Sequence, residues 1–339
     1  MLMLLNSRFL IVVISIILNA CSASKNQETH ITGPTMGTTY NVKFVSIDAV
    51  DKLELTQQIE QSLIDINLLM STYIQDSELS RFNQWNSIKP FPMSASTLKV
   101  LNEAKRLSDM SEGMLDVTVG PLVNLWGFGP KSQPVKIPTE ALINMTRKLV
   151  GIDKLTIGPS WASKAEPALY VDLSTIAKGY AVDQLAELLG THAITNYLVE
   201  IGGEMRLSGV KASGTPWKIA IEKPETEQRA VQKIISIGTN AVATSGDYRN
   251  YYESDGVRYS HLINPNTGYP ISHNLVSVTV VHPSSMTADG LATALNVMGK
   301  EKALALAETF NIAVLLITKE KDSFTEYTSA KFEQLVTVH

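Results

Sequence analysis

One segment constrains the fold more than any other. From Ala241 to Gly299 the chain reads AVATSGDYRNYYESDGVRYSHLINPNTGYPISHNLVSVTVVHPSSMTADGLATALNVMG. A short strand (Ala241–Thr244) and a Ser-Gly-Asp turn lead through aromatic-rich segments to Tyr259–Ile263, and Asn264–Gly268 forms a tight Pro/Gly loop. A β-branched strand over Leu275–Val281 follows, then a helix from about Ser285 that stops at Gly299. Strands this close in sequence pair as hairpins, which predicts antiparallel rather than parallel neighbours. On the helix, Asp289 and Thr293 stand four residues apart and share one face. A carboxylate and a hydroxyl at that spacing make half of an oxygen site for a hard cation. They equally fit a solvated polar face, because i,i+4 polar pairs are common on exposed helices.

The first twenty residues read as a leader rather than as fold. Arg8 is the positive flank, Phe9–Leu18 an apolar run too short to span a bilayer, and Leu18-Asn19-Ala20 a small-residue exit. Cys21, the single cysteine of the chain, comes next. An ordinary secretory signal with an incidental thiol would look the same, but LNAC resembles a bacterial lipobox, which implies lipidation at Cys21. Ser22 after that cysteine favours sorting to an outer membrane. The absence of other cysteines suits an exported protein that needs no disulfide. Residues 21–30 are polar and read as a tether. The net charge of −4, with no Lys/Arg run, is no footprint for nucleic acid.

Beyond the tether, Thr38–Val45 alternates as a strand. Leu55, Ile59, Leu63, Ile66 and Leu69 mark an amphipathic helix over 51–70, ending just before Tyr73, an amphipathic ring at a core edge. A second helix, Ser96–Met110, closes on Gly113. Residues 120–138 are rich in Pro and Gly around Trp126 and Phe128 and read as a loop, either a lid or a seam. Thr139–Lys148 is a short helix. Ala168–Leu173 reads as a strand delivering Asp172, with a helix over Thr175–Leu189 capped by Ser174 or Thr175. Such a helix start suits a phosphate, and Lys178 in its first turn is unfavourable unless an anion faces it. Neither a Walker loop nor GxGxxG is present. Further strands are predicted at Tyr197–Ile201, Glu204–Leu207, Trp217–Ile221 and Gln232–Ile237. Gly202-Gly203 is either a hairpin turn or a close approach to a ligand. A last helix (Ala303–Phe310) precedes a buried strand (Ile312–Ile317). The sum is an α+β fold, mostly antiparallel mixed sheets flanked by helices, in one domain over 31–339 with room for two subdomains.

Six stretches carry a resemblance, in order: TMGTTY (35–40), VDLSTIAKGYAVD (171–183), LVEIGGE (198–204), TSGDYRNYY, HLINPNTGYP and ADGLATAL. Together they resemble the motifs of the ApbE family of FAD:protein FMN transferases. The resemblance implies transfer of FMN from FAD to a Thr or Ser hydroxyl of an acceptor protein, with release of AMP. It also implies Mg²⁺ held by Asp289, Thr293 and the Thr175 carbonyl. FAD contacts would come from Met36, Tyr73, Met114, Leu115, Asp116, Asp172, Lys178 and Ile263. His261 is the candidate base, as the only side chain of near-neutral ordinary pKa inside a matched motif; His273 and His282 lie outside the motifs. Four positions depart from the family pattern. Ser174-Thr175 replaces two glycines, Glu204 replaces an Asp, and Ala292 stands where some relatives carry a second carboxylate. Implied acceptors are subunits of membrane redox complexes of the sodium-pumping NADH:quinone reductase or Rnf type, on the periplasmic side of a bacterial membrane. Two other readings use the same residues: a pyrophosphatase that cleaves FAD to FMN and AMP, and a non-catalytic FAD-binding lipoprotein.

Overall fold

The computed structural model describes residues 27–46, 50–129, 137–225, 230–247, 250–254, 256–321 and 323–339. Cys21 and the leader lie outside the described residues, as do Tyr248 and Arg249 of the TSGDYRNYY motif.

Eight strands form the main sheet: β1 (Gln27–Thr35), β2 (Thr38–Ser46), β3 (Asn196–Ile201), β4 (Glu204–Ser208), β5 (Ala241–Gly246), β6 (Leu275–His282), β7 (Ala313–Glu320) and β8 (Ser323–Thr328). They lie side by side in that order. Every neighbouring pair is antiparallel, the arrangement that the short links β1–β2, β3–β4 and β7–β8 dictate for their own pairs. Both faces of the sheet are covered. In β7, Val314 and Leu316 face the larger core, while Ala313, Leu315 and Ile317 face a second core with Trp217, Ile219 and Ile235. Double coverage explains why β6 is a near-continuous apolar run rather than an alternating one; its first seven residues are all buried.

The larger core is closed by five helices: α1 (Lys52–Met70), α2 (Ala95–Met110), α3 (Ala177–Thr191), α4 (Ser285–Met298) and α5 (Lys300–Thr309). Asp51 caps α1 by accepting from the Leu53 and Glu54 amides. Its apolar stripe is as expected, except that Met70 rather than Leu69 is the last buried member.

α3 and α4 hold each other by their ends. Asp183 of α3 accepts from the Ser285 and Met286 amides at the start of α4, at 3.0 and 3.1 Å. Asp289 of α4 accepts from the Gly179 amide in the first turn of α3, at 2.9 Å. Each carboxylate thus satisfies amides that its partner helix cannot bond itself. The helices come so close at Gly179 that an added Cβ would lie 2.3 Å from the Ser285 carbonyl oxygen.

Four local expectations change. The stretch read as a tether is already strand from Gln27, the edge strand β1, which was illegible because it buries a single residue, Ile31. Ala168–Leu173 is extended but forms no ladder; the Asn83 side chain bonds both the N–H and C=O of Val171 at 2.8 Å. α3 begins at Ala177, with no side-chain cap from Ser174 or Thr175. The segment read as a loop opens with a helix, Gly120–Leu125, with proline in its first turn.

Candidate active site

Two cavities, of about 380 and 640 Å³, open between the α3 start and the sheet. They share Tyr73, Asp172, Ser174 and Lys178 in their walls, so they form one bent recess of nucleotide size. The smaller cavity is also lined by Met114, Leu115, Asp116, Thr175, His261, Ile263, Asp289 and Thr293. The larger takes Met36. All the residues nominated from sequence are therefore in its walls, apart from Cys21.

Turn geometry delivers several of them. Met36-Gly37 is the two-residue loop of the β1–β2 hairpin, with φ of 48° and 71°. Positive φ at both positions is what the twist of such a hairpin demands, and Met36 adopts it without glycine's freedom. Gly202-Gly203 turns β3 into β4, also with positive φ at both positions. The pair is a hairpin turn, and what Gly202 approaches closely is protein: a Cβ there would sit 2.9 Å from Thr38 and 3.6 Å from Lys178. Asp172 accepts from the Ser174 amide at 2.9 Å, shaping the bend that leads into α3.

The charges are arranged around Lys178. Its ammonium lies 2.6 Å from Glu204 Oε1, so the anion that a cation at a helix start requires is supplied by the protein itself. Burial opposes the charge on Lys178, but Asp289, Glu204 and Glu200 together raise its pKa. Asp289 is pushed up to about 8, first by burial and then by the Glu204 charge, against the pull of Lys178 and the Gly179 amide. Burial likewise raises Glu204 despite Lys178. Two buried carboxylates thus share one ammonium, a balance that favours an added cation. No group of three or more His, Cys, Asp or Glu side chains poised for a metal exists among the described residues. A hard ion here would rely on one or two carboxylates, neutral oxygens and ligand phosphates, the usual manner of Mg²⁺. Asp289, the Thr293 hydroxyl and the Thr175 carbonyl fit that donor chemistry.

His261 lines the same cavity, just after the hairpin of Tyr251–Ser254 and Val257–Ser260. Its Nδ1 lies 3.0 Å from the Asn250 carbonyl oxygen. A carbonyl can only accept, so Nδ1 carries the proton and Nε2 keeps a free lone pair. Burial, helped by Arg258, lowers the His261 pKa against the Asn250 carbonyl, which favours the neutral base. The wall behind it is an aromatic stack: Phe128, Tyr252, Tyr259 and Trp126 follow one another with centroids 5.1–5.6 Å apart. Trp126 also donates to the Gly268 carbonyl at 2.8 Å. The 120–129 segment is therefore a bolted wall rather than a loose seam.

Asp116 lines the cavity and also braces it. Its carboxylate accepts from the Thr118 amide and hydroxyl and from the Ile152 amide. Both oxygens thus tie this wall together. Asn250 and Glu204 are the functional groups that residue-type reasoning undervalued. Asn250 acts through its backbone carbonyl, for which no sequence signal exists, whereas Glu204 was marked only as a departure from the family pattern.

An α+β scaffold with a recess of this size, lined by an ammonium, two buried carboxylates and a histidine, suits an enzyme that handles a nucleotide. A sequence model of the ApbE family matches residues 36–316. The FAD:protein FMN transferase of Vibrio cholerae serotype O1 is 54% identical over 326 residues, covering 96% of this chain and 98% of that one. The FAD:protein FMN transferase of Haemophilus influenzae is 48% identical over 338 residues, covering 97% of each. The solved structure of flavin transferase ApbE from Vibrio cholerae superimposes with a TM-score of 0.86 at 54% identity, covering 91% of this chain and 99% of that one. The chain belongs to the ApbE family.

Proposed function

We infer that the chain is an FAD:protein FMN transferase, and that the recess described above is where the transfer takes place. The observation that supports the reading is that both functions line one cavity: His261, with Nδ1 on the Asn250 carbonyl and Nε2 free, and the buried carboxylate of Asp289. The acceptor's Thr or Ser oxygen attacks the FMN-side phosphorus of FAD. A new phosphoester bond forms, the pyrophosphate P–O bond breaks, and AMP leaves with the bridging oxygen. Nε2 of His261 takes the hydroxyl proton as that bond forms. Mg²⁺, held by Asp289, Thr293 and the Thr175 carbonyl, would offset the pyrophosphate charge. Lys178 supplies fixed positive charge nearby, and the ring of Tyr73, 76% exposed, offers a face for the flavin or its nucleotide. Met36, Met114, Leu115 and Ile263 form apolar contacts, and Asp172 offers hydrogen bonds.

The same reading extends to the cell. Lipidation at Cys21 would anchor the enzyme on the periplasmic side of a bacterial membrane, where acceptor subunits of the sodium-pumping NADH:quinone reductase or Rnf type present a hydroxyl. No helix among the described residues is long and apolar enough to cross a membrane. The test mixes purified protein, FAD and Mg²⁺ with a purified acceptor domain and looks for an in-gel fluorescent flavin band. A covalent band with stoichiometric AMP supports the transferase. Steady AMP production with no band on any acceptor would instead make the protein a pyrophosphatase.

A further inference from the structure

Glu204 opens β4 directly after the Gly202-Gly203 turn, and its side chain is only 5% exposed. One oxygen, Oε1, is committed to Lys178 at 2.6 Å. The other, Oε2, is buried and has no hydrogen-bond partner among the described residues. A carboxylate oxygen withdrawn from water calls for a donor or a cation, and none among the described residues reaches Oε2. Glu204 shares a cavity wall with Asp289 and Thr293.

Three other acids nearby are committed or more open. Both oxygens of Glu200 accept, from the Asn41 side chain at 2.7 Å and the Gly203 amide at 2.8 Å. Asp183 is consumed by Arg206, Ser284 and the start of α4. Asp172 lines the same cavity but is only half-buried, with Oδ1 on the Ser174 amide. α4 itself offers a single carboxylate to the cavity, because the residue beside Thr293 is Ala292. Among the described residues, Glu204 is thus the acid beside Asp289 in the cavity lining that combines burial with an uncommitted oxygen.

We propose that Glu204 is the second carboxylate of the divalent-cation site, binding through Oε2 while Lys178 holds Oε1. The proposal rests on the metal-dependent reading above and adds a ligand to it. It explains why a second strand residue, not the α4 helix, carries the extra charge. A role as mere counterion of Lys178 would leave Oε2 unexplained.

The probe is Mn²⁺, titrated by the EPR signal of the free ion against native protein, Glu204→Gln and Asp289→Asn, all without FAD. Flavin affinity by fluorescence quenching in EDTA and melting temperature are measured alongside. The expected result is a loss of Mn²⁺ affinity of about tenfold or more in both variants, with flavin binding in EDTA little changed in Glu204→Gln. Native Mn²⁺ affinity in Glu204→Gln, with affinity lost in Asp289→Asn, would overturn the assignment and leave the cation site standing. A change in flavin affinity alone would make Glu204 only the positioning residue of Lys178. Unchanged Mn²⁺ binding in both variants would remove the cation site itself. If the glutamine variant does not fold, Glu204→Asp decides: drawing the carboxylate back by one methylene weakens Mn²⁺ binding, and native affinity there contradicts the proposal.

Discussion

His261 owes its readiness to a backbone carbonyl. Because Asn250 accepts from Nδ1, the neutral ring is held as the tautomer with Nε2 open, and burial holds its pKa below the ordinary histidine value. The acid limb of the transfer rate against pH is therefore expected below about 6.5, the unperturbed value. A limb at or above that pH, in single-turnover measurements, would contradict the assignment. Asp289 makes the opposite trade. Its folded pKa of about 8 lies above the unfolded carboxylate value, so between those two pH values the native state holds a proton that the unfolded state has lost. Its cost to stability is absent below the unfolded pKa, grows as pH rises, and is complete above about 8. Asp289→Asn keeps an oxygen for the Gly179 amide and relieves that cost. In EDTA it should melt higher than native protein at pH 8.5, with the difference fading toward pH 4. A variant that melts lower across the range would show that the charge is not strained.

Between elements, the decisive contact is the α3–α4 crossing at Gly179. Gly179→Ala would push a methyl group into the Ser285 carbonyl and the Asp289 Cβ, 2.3 and 2.8 Å away. It should cost about 1–3 kcal/mol or more by denaturant titration, and it should lose activity because Asp289 moves with the strain. Gly190 on the same helix is the control, since a Cβ there meets nothing within 4 Å. Gly190→Ala should stabilise by about 0.4–1 kcal/mol and leave transfer unchanged. Equal behaviour of the two variants would refute the close-crossing account. These elements also show what a sequence can express. The apolar stripe of α1, the glycines that stop α2 and α4, and the apolar run of β6 are local signals and were legible. The reciprocal capping was not, because the Asp289–Gly179 bond joins residues 110 positions apart. The bracing by Asp116 was illegible for the same reason: the Ile152 amide that it accepts from is 36 positions away. The Ala168–Leu173 stretch has strand composition but finds a side chain, Asn83, where a strand would find a neighbour.

For the whole molecule, the six motifs lie far apart in sequence and converge on one recess, which is why their order carried more than any single match. The anchor is argued at this scale too. On the proposal that a lipid at Cys21 holds the protein on the membrane, Cys21→Ala is expected to give unprocessed or soluble protein. Fractionation of cells decides it, and a fully cleaved variant that stays with the membrane would contradict it. The central claim is that this recess binds FAD and that His261 moves the proton of transfer. The most direct measurement compares His261→Ala with native protein in flavin affinity, by fluorescence quenching, and in single-turnover FMN transfer to an acceptor domain. The account predicts near-native affinity with transfer slowed by about two to four powers of ten. Parallel losses of affinity and rate, with a lowered melting temperature, would contradict it and make His261 a structural tie.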